Sequence, residues 1–537
     1  VTRLPRQPRD LLEIRIEADL GAVPDQLLAR VLGALEAAAG GPSDTTEATI
    51  QRAWAGERAL SDQRLHYAAV FFGEALAAAR GRLADAVEPP TLDGAEVRAA
   101  AAALLTDPTT RIRAAWVGDG GPTARESLPE SKSPAQVSRA ATLGDGPLGS
   151  QVTTLDNGLV VGVLPEVGSD VFGIHLLVAD RTLREPENLP GAADFVHRLL
   201  AAGTVLGGSA ELANRFERAG FEVKTADSPM IPFDNRYHVP DFSYVRIEGP
   251  ADGLETALAM LGEMIRTPSW DEAGWRVALA DHQAARAADN RGSESAEQIF
   301  FATLLGQEHP LARAVSGRPG TPAASAEEVR ALWGTWPDGY FRPSRLVLTV
   351  ASPVPSEETL ELVKDYFSGG AQSEPMRGPY PAPQPAASAP EVAVGEAPQI
   401  TLLWGRSAEV EAVHRVPLMV AMDALSDRMT AVIREREGLA YRLGAGVRHN
   451  PGGDWILWAT VGTRPENRER VASLLGELAA ELAADPLSES DLDRLRARRE
   501  RSRMLRGLSA ASRAYRVGRA LFEGDGSPLA LQGDGLD

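Results

Sequence analysis

The sequence contains no cysteine, and this absence excludes disulfide bonds, thiolate catalysis and zinc sites built from thiolate ligands. It also lacks any apolar run long enough to span a bilayer. The first ten residues show no signal-peptide pattern, which predicts a cytoplasmic location. With a formal net charge of −19, the chain lacks the basic excess on which nucleic-acid binding depends. We therefore expect neither a nucleic-acid partner nor a membrane partner.

Several catalytic signatures are also missing. The chain has no G-x-S-x-G nucleophile elbow and no phosphate-binding loop of the G-x-x-x-x-G-K-[ST] type. Its eight histidines include no pair three or four residues apart, so no helix can present two histidine ligands on one face. These histidines are His66, His175, His197, His238, His282, His309, His414 and His449.

The stretch from Arg184 to Thr204 has the clearest local pattern in the chain. Pro186 and the turn sequence 189–191 interrupt any earlier helix. Apolar residues then recur at helical spacing, namely Ala192, Phe195, Val196, Leu199 and Leu200. Gly203 stands where a helix commonly ends. The pattern predicts a loop, a turn and a helix.

This stretch resembles the zinc-site helix of the M16 peptidases, the pitrilysin/insulinase family of inverted zincins. In that family the signature H-x-x-E-H usually stands in the setting G-L-A-H-F-L-E-H-M-L-F-x-G-T. The residues that match this setting without a gap are Gly191, Phe195, Leu200, Gly203 and Thr204. The signature itself is replaced: Asp194 stands at the first histidine, His197 at the glutamate and Arg198 at the second histidine.

The replaced signature predicts that the family's zinc chemistry is lost. A catalytic zinc ion needs three protein ligands and one open position. Asp194 could offer an oxygen, but Arg198 has no lone pair and adds a fixed positive charge, and His197 takes the place of the base. We expect no cofactor in this chain, with zinc only in a catalytic partner. The spacing instead predicts an ion pair between Asp194 and Arg198.

The third zinc ligand of the family is a glutamate on a later helix, which corresponds here to residues 275–290. The nearest acidic residue is Asp281. His197, Asp281 and His282 form the one cluster that folding could bring together. Such a cluster could bind a metal adventitiously, but polar residues that satisfy one another are the favoured interpretation.

A second motif gives the best candidates for substrate binding. Residues 433–441, Ile-Arg-Glu-Arg-Glu-Gly-Leu-Ala-Tyr, closely match the family's L-R-E-x-x-G-L-A-Y. The resemblance implies that Arg434 and Tyr441 face the zinc-site position across a chamber and hold a substrate carbonyl or oxyanion. Gly438 between them permits the turn that ends the helix. The alternative interpretation is an exposed arginine and a packed tyrosine.

The resemblance implies an α+β fold of M16 (LuxS/metallohydrolase-like) half-units, each a mainly antiparallel sheet with helices on one face. Residues 1–120 are predicted to be the C-terminal part of a preceding half-unit, and residues 121–150 a linker. Residues 151–368 are the N-terminal half with the degenerate zinc-site helix. A proline-rich linker follows at 369–398, and residues 399–537 form a C-terminal half without its tail. Leu11 and Trp455 are separated by the same number of residues as Pro42 and Pro486, which supports an internal repeat.

Hydrophobic periodicity places the main elements. The predicted strands are 11–17, 112–117, 155–161, 172–179, 346–350, 400–404 and 455–461. The predicted helices include 24–39, 67–83, 95–105, 209–220, 254–266, 275–290, 416–435 and 467–484, and a further one begins at Ser488.

Together these patterns predict a non-catalytic M16 peptidase-like chain. It would bind peptides or a small protein substrate, or partner a catalytic M16 subunit through Arg434 and Tyr441. Family members do work in pairs in which one subunit keeps the zinc and the other keeps the Arg/Tyr pair. Two alternatives stay open: a metallopeptidase with a rewritten metal site, and a purely structural core-type subunit.

Overall fold

The computed structural model describes residues 2–4, 11–13, 52, 56, 59–60, 143–227, 239–289, 292–318, 320, 323–386, 399–450, 453–485 and 487–524. The chain divides into two compact units, residues 1–52 with 72–131 and residues 53–71 with 132–537. In the first unit, β1 (Thr2–Leu4) and β2 (Leu11–Glu13) pair antiparallel, and β2 begins where the sequence predicts a strand. The other elements predicted before residue 120, together with Pro42 and Pro486, lie outside the described residues.

A mainly antiparallel sheet organises the first part of the second unit. In chain order, the strands there are β3 (Gly144–Asp145), β4 (Gln151–Thr154), β5 (Val160–Pro165), β6 (Val171–Ala179), β7 (Gly203–Thr204), β8 (Gly207–Gly208), β9 (Glu222–Lys224), β10 (Phe242–Pro250) and β11 (Leu346–Ser352). Seven of them form a sheet in the order β3-β4-β5-β11-β6-β10-β9, and β7 pairs with β8. Only the β5–β11 pair is parallel within this described sheet, so the predicted α+β class is confirmed.

Seven helices accompany this sheet in the described residues. They are α1 (Ala192–Leu199), α2 (Ser209–Ala219), α3 (Leu254–Arg266), α4 (Glu272–Asp289), α5 (Gly292–Leu305), α6 (Ala326–Trp333) and α7 (Ser356–Phe367). Side chains of α1, α3 and α7 pack on one face of the sheet and form the main core with alternate residues of β6 such as Ile174 and Leu176. The predicted helix at the signature stretch is therefore present and central.

The opposite face of the same sheet is also covered. Four helices follow later in the chain, α8 (Ala412–Met429), α9 (Arg468–Ala484), α10 (Glu489–Arg506) and α11 (Ala510–Glu523). Phe522 of α11 packs with Leu177 of β6 and Phe242 of β10, so the residues of β6 are buried on both sides. A Cβ at Gly173 would lie 2.2 Å from the backbone nitrogen of Ala511, which explains why glycine is needed there. This cover adds a second helical layer to the predicted single layer.

One strand was placed too early by the sequence. The prediction of a strand over 155–161 is wrong for its first five residues, because Asn157 and Gly158 form the turn between β4 and β5, and β5 begins at Val160. Gly158 has φ +84°, a conformation that glycine adopts readily. The Asn157 Oδ1 accepts a hydrogen bond from Leu159 N at 3.1 Å, and its Nδ2 donates to Phe367 O at 2.8 Å. Asn-Gly is a turn sequence, and here that local preference prevails.

The remainder of the unit carries a smaller sheet. Its strands are β12 (Ile400–Ala408), β13 (Ala440–His449) and β14 (Trp455–Thr463), in the order β12-β14-β13, with antiparallel neighbours. The helix predicted over 416–435 appears as α8 followed by a π-helical turn, Thr430–Arg436. Within the described residues, no helix is long and apolar enough to cross a bilayer.

Candidate functional site

The signature helix α1 begins at a position that only glycine fits. Gly191 has φ +89°, and a Cβ there would lie 2.4 Å from the backbone carbonyl of Ser316. From this point the chain enters α1, all of whose residues are buried. The helix therefore carries its polar residues into the interior, where each must find a partner.

Asp194 lies at the centre of a buried ion cluster. Its Oδ1 accepts a hydrogen bond from Arg181 Nη2 at 2.6 Å, and its Oδ2 accepts one from Arg198 Nε at 2.7 Å. The predicted Asp194–Arg198 ion pair is thus present, and its side chains are buried, with 0% and 6% exposure respectively. Arg198 also donates to the carbonyl oxygen of Asp227 at 3.0 Å.

The residue of α4 that reaches this cluster is His282 and not Asp281. His282 Nδ1 lies 2.9 Å from Asp194 Oδ2, whereas the Asp281 side chain is exposed. One residue turns a helix by about 100°, so only one of the two can face α1. Arg286 Nη2 lies 2.8 Å from His282 Nε2. Because arginine can only donate, Nε2 accepts, and Nδ1–H donates to Asp194.

The electrostatics of the cluster favour a charged carboxylate. Burial alone would raise the pKa of Asp194, but Arg198, His282 and Arg181 outweigh it and hold that pKa well below its usual range. Burial likewise acts to lower the pKa of Arg198, and Asp194 more than compensates. Asp194 and Arg198 therefore stay charged at neutral pH.

His197 belongs to a different environment from the one the signature suggests. Its Nδ1 lies 3.0 Å from the carbonyl oxygen of Tyr244 on β10, and its ring packs edge-on near Tyr340. Burial, followed by the charge of Arg181, lowers the pKa of His197 to about 3. The predicted grouping of His197 with Asp281 and His282 is therefore wrong, since each of the three has different surroundings.

These residues do not fit a zinc ion. Both oxygens of Asp194 accept hydrogen bonds from charged or neutral donors, and the lone-pair nitrogen of His282 faces Arg286. Two guanidinium groups next to the carboxylate would repel a cation. Across the described ranges, no group of three or more His, Cys, Asp or Glu side chains is arranged to hold a metal.

Arg434 and Tyr441 are brought together as the motif predicts. Arg434 lies in the π-helical turn, Gly438 turns the chain with φ +65°, and Tyr441 is the second residue of β13. The Arg434 Cζ lies 4.7 Å from the centre of the Tyr441 ring. Tyr441 is 78% exposed, so the alternative of a packed tyrosine is wrong. The Arg434 Nε lies 3.3 Å from Glu435 Oε1.

Two residues of the buried cluster were missed by the sequence analysis. Arg181 lies in the loop after β6, and Arg286 follows His282 by one helical turn. The four-residue spacing of His282 and Arg286 is the one sequence feature that could have indicated their contact. Nothing in the sequence indicates that Arg181 returns to contact α1.

Part of the chain matches a known protein family. Residues 335–499, which include Arg434 and Tyr441, match the family model described as the peptidase M16 inactive domain. A search of curated protein sequences gave no match. A peptidase M16 inactive domain from Pseudomonas fluorescens is similar in structure, with TM-score 0.56, 17% identity and coverage of 70% of this chain and 88% of that one.

Two further structures have similar folds. One is a protease from Helicobacter pylori, with TM-score 0.55, 17% identity and coverage of 72% of this chain and 91% of that one. The other is a mutant of the ferredoxin protease FusC in complex with Arabidopsis ferredoxin. It has TM-score 0.52 and 13% identity, and the match covers 83% of this chain and 48% of that one. At these identities the likeness establishes the fold.

Proposed function

We propose that this chain has a non-catalytic role in peptide binding or peptide cleavage by a partner. The chain has the M16 peptidase fold and matches the inactive domain of that family. It binds peptides, or supports a catalytic M16 subunit, through Arg434 and Tyr441. The observation that carries the proposal is the exposed Arg434–Tyr441 pair, in which the guanidinium stacks on the ring at 4.7 Å.

The pair has the chemistry to hold a peptide carbonyl. Stacking on Tyr441 orients the guanidinium at an exposed site, a contact that contributes about 0.5–1 kcal/mol. The ion pair with Glu435 uses the Nε of Arg434. The two terminal nitrogens lie in the same plane as Nε and can donate hydrogen bonds to a ligand. A carbonyl oxygen accepting from Arg434 would gain a charge-assisted hydrogen bond of roughly 1.5–3 kcal/mol. The Tyr441 hydroxyl can donate a second one.

The buried cluster around Asp194 supports the non-catalytic part of the proposal. The position that carries a zinc ligand in the family is occupied by an ion pair whose members satisfy one another. A chain of this kind resembles the member of an M16 pair that keeps the Arg/Tyr residues and leaves the metal chemistry to its partner. The ferredoxin complex of a structurally similar protease favours a protein or peptide as the bound molecule.

Peptide binding by the isolated chain tests the role of the pair. With fluorescein-labelled casein peptides as the probe, Arg434→Ala is expected to raise the Kd roughly tenfold, as the loss of one charge-assisted hydrogen bond requires. Tyr441→Phe should have a smaller effect because the ring still stacks. Arg464→Ala is the matched control, since Arg464 is 74% exposed and also pairs with a nearby glutamate, Glu466. Wild-type affinity in both Arg434→Ala and Tyr441→Phe would contradict the proposal.

Metal analysis separates this role from that of a metallopeptidase with a rewritten site. We expect purified chain to contain no stoichiometric zinc and to show no chelator-sensitive peptide cleavage, because Asp194 and His282 already satisfy each other and the arginines. The measurement is elemental analysis of the protein together with a cleavage assay in the presence and absence of chelator. One zinc ion per chain together with cleavage would overturn the non-catalytic assignment.

A further inference from the structure

A hollow of about 480 Å³ opens beside the segment that joins α6 to β11. Its size falls within the range of small-ligand sites in proteins. Its lining includes Arg184, Leu332, Trp336, Asp338, Tyr340 and Arg345. It lies in the second unit and shares no lining residue with the Asp194 cluster or with the Arg434–Tyr441 pair.

Arg345 brings to this hollow a guanidinium group that makes no ion pair within the described residues. Its side chain is half-buried, and its Nε is fully buried without a hydrogen-bond partner. Among the residues that the structure describes, none forms an ion pair with it. Burial, and next the charge of Arg184, lower the pKa of Arg345 to about 10, although the charge of Asp180 acts in the opposite direction, so Arg345 remains protonated at neutral pH. A half-buried cation without a partner is costly, and an anion bound beside it would offset that cost.

Arg184 supplies a second guanidinium to the same hollow. It contacts Asp180 Oδ2 at 3.3 Å through Nη2, but that oxygen also accepts a 2.8 Å hydrogen bond from Gly378 N. The Nε of Arg184 is buried and has no partner in the described part of the chain. Asp338 is the one carboxylate in the lining; its side chain is exposed, and it makes no described ion pair with either arginine.

Leu332 and Trp336 give the remaining wall an apolar part. Leu332 and the Trp336 ring are half-buried, and both pack against the main core. The Tyr340 hydroxyl is already engaged with Ser243 Oγ at 2.8 Å, so it is not the main polar contact for a ligand. Two guanidinium groups beside an apolar wall match a planar anion that carries an apolar group, because a guanidinium pairs with a carboxylate through two parallel hydrogen bonds.

We propose that this hollow binds the carboxylate of a small organic acid or of a peptide C-terminus, held by Arg345 and Arg184, with the apolar part of the ligand against Leu332 and Trp336. The site is independent of the Arg434–Tyr441 pair. In a chain with a net charge of −19, it offers a local positive site for an anionic ligand.

Calorimetric titration of the full chain tests the assignment. The probes are hydrocinnamate, an N-acetylated tripeptide that ends in phenylalanine with a free carboxylate, and the same tripeptide as its amide. We expect at least one carboxylate to bind with a Kd below the millimolar range, and the amide to bind at least tenfold more weakly. The carboxylate probe that binds more tightly shows whether the site prefers a small free acid or a peptide C-terminus.

Variants separate this site from the rest of the molecule. Arg345→Gln should weaken carboxylate binding roughly tenfold to a hundredfold, since a charge-assisted contact is lost. Arg345→Lys keeps the charge but loses the planar pair of N–H donors, and should weaken carboxylate binding by an intermediate factor. Arg330→Gln, which replaces an exposed arginine on α6 outside the lining, should bind like wild type.

Three results would overturn the proposal. One is the failure of both carboxylates to bind with a Kd below about 1 mM, which corresponds to roughly 4 kcal/mol. Another is unchanged affinity in both Arg345→Gln and Arg345→Lys when thermal unfolding shows that they fold. The third is inorganic phosphate competing as strongly as the carboxylate probes, which would remove the carboxylate preference. Loss of peptide binding at Arg434, by contrast, has no bearing on this site.

Discussion

An Asp194→Ala variant is expected to lose about 3–5 kcal/mol of unfolding free energy, because it leaves two buried guanidinium groups without their counter-charge. The Arg181 and Arg198 side chains are 3% and 6% exposed, so water cannot replace the carboxylate without local opening. His282 would lose the acceptor of its Nδ1–H as well. Asp194→Asn keeps the shape and one hydrogen-bond acceptor but not the charge, and should show a smaller loss.

Urea unfolding followed by tryptophan fluorescence measures this loss, since Trp275 packs on Phe195 of α1. Asp281→Ala is the matched control, because Asp281 is an exposed acid next to His282 and its removal should change stability by only about 0.5 kcal/mol. If Asp194→Ala were as stable as Asp281→Ala, the buried ion cluster around Asp194 would contribute little to the free energy of unfolding. Asp194→Asn covers the case in which the alanine variant does not accumulate.

Within the ion cluster, the contact between residues on one helix could be predicted from the sequence, and the contacts between separate elements could not. The Asp194–Arg198 pair comes from a four-residue spacing on one helix, which the sequence shows directly. The contact with His282 required the packing of α1 against α4, and the helical phase of α4 decided it against Asp281. Arg181 reaches Asp194 from a loop, where no periodicity constrains the side chain. Tertiary packing therefore determined what the residue pattern could not.

The fold shows the same division. β6 and α3 were predicted closely because their apolar residues follow one period over the whole element. Arg434 and Tyr441 were placed correctly because a glycine turn joins the two elements that carry them. The packing of α11 on the second face of the sheet was not predictable, since it depends on a distant segment that meets Gly173 at close range.

Glu185 carries the second large expected effect. It is 5% exposed, and its Oε1 accepts a hydrogen bond from Ala193 N at 3.1 Å, in the first turn of α1. Burial raises the pKa of Glu185 to about 8, although the backbone donors at Gly191 and Ala193 and the charge of Arg181 act in the opposite direction. The carboxyl group is therefore largely protonated in the folded chain at neutral pH.

We expect the stability of the wild type, compared with Glu185→Gln, to fall as the pH rises from about 5 to about 8. The folded-state pKa lies above the unfolded value, so the folded chain holds a proton there that the unfolded chain has released. Each pH unit in this window costs about 1.4 kcal/mol, which gives a total of about 3–4 kcal/mol. Glutamine removes the titration and keeps the acceptor for Ala193 N. The lowered pKa of the buried His197 affects the stability of both proteins equally, so its contribution cancels in the comparison.

Urea unfolding of wild type and Glu185→Gln at pH 5.5, 7 and 8.5 measures the difference. Glu187→Gln is the matched control, because Glu187 is exposed in the same loop and should follow the wild-type curve at every pH. Parallel curves for wild type and Glu185→Gln across this range would mean that Glu185 is already ionised in the folded chain. The buried environment at the start of α1 would then have to supply a counter-charge, and Arg181 is a cation whose charge acts on Glu185.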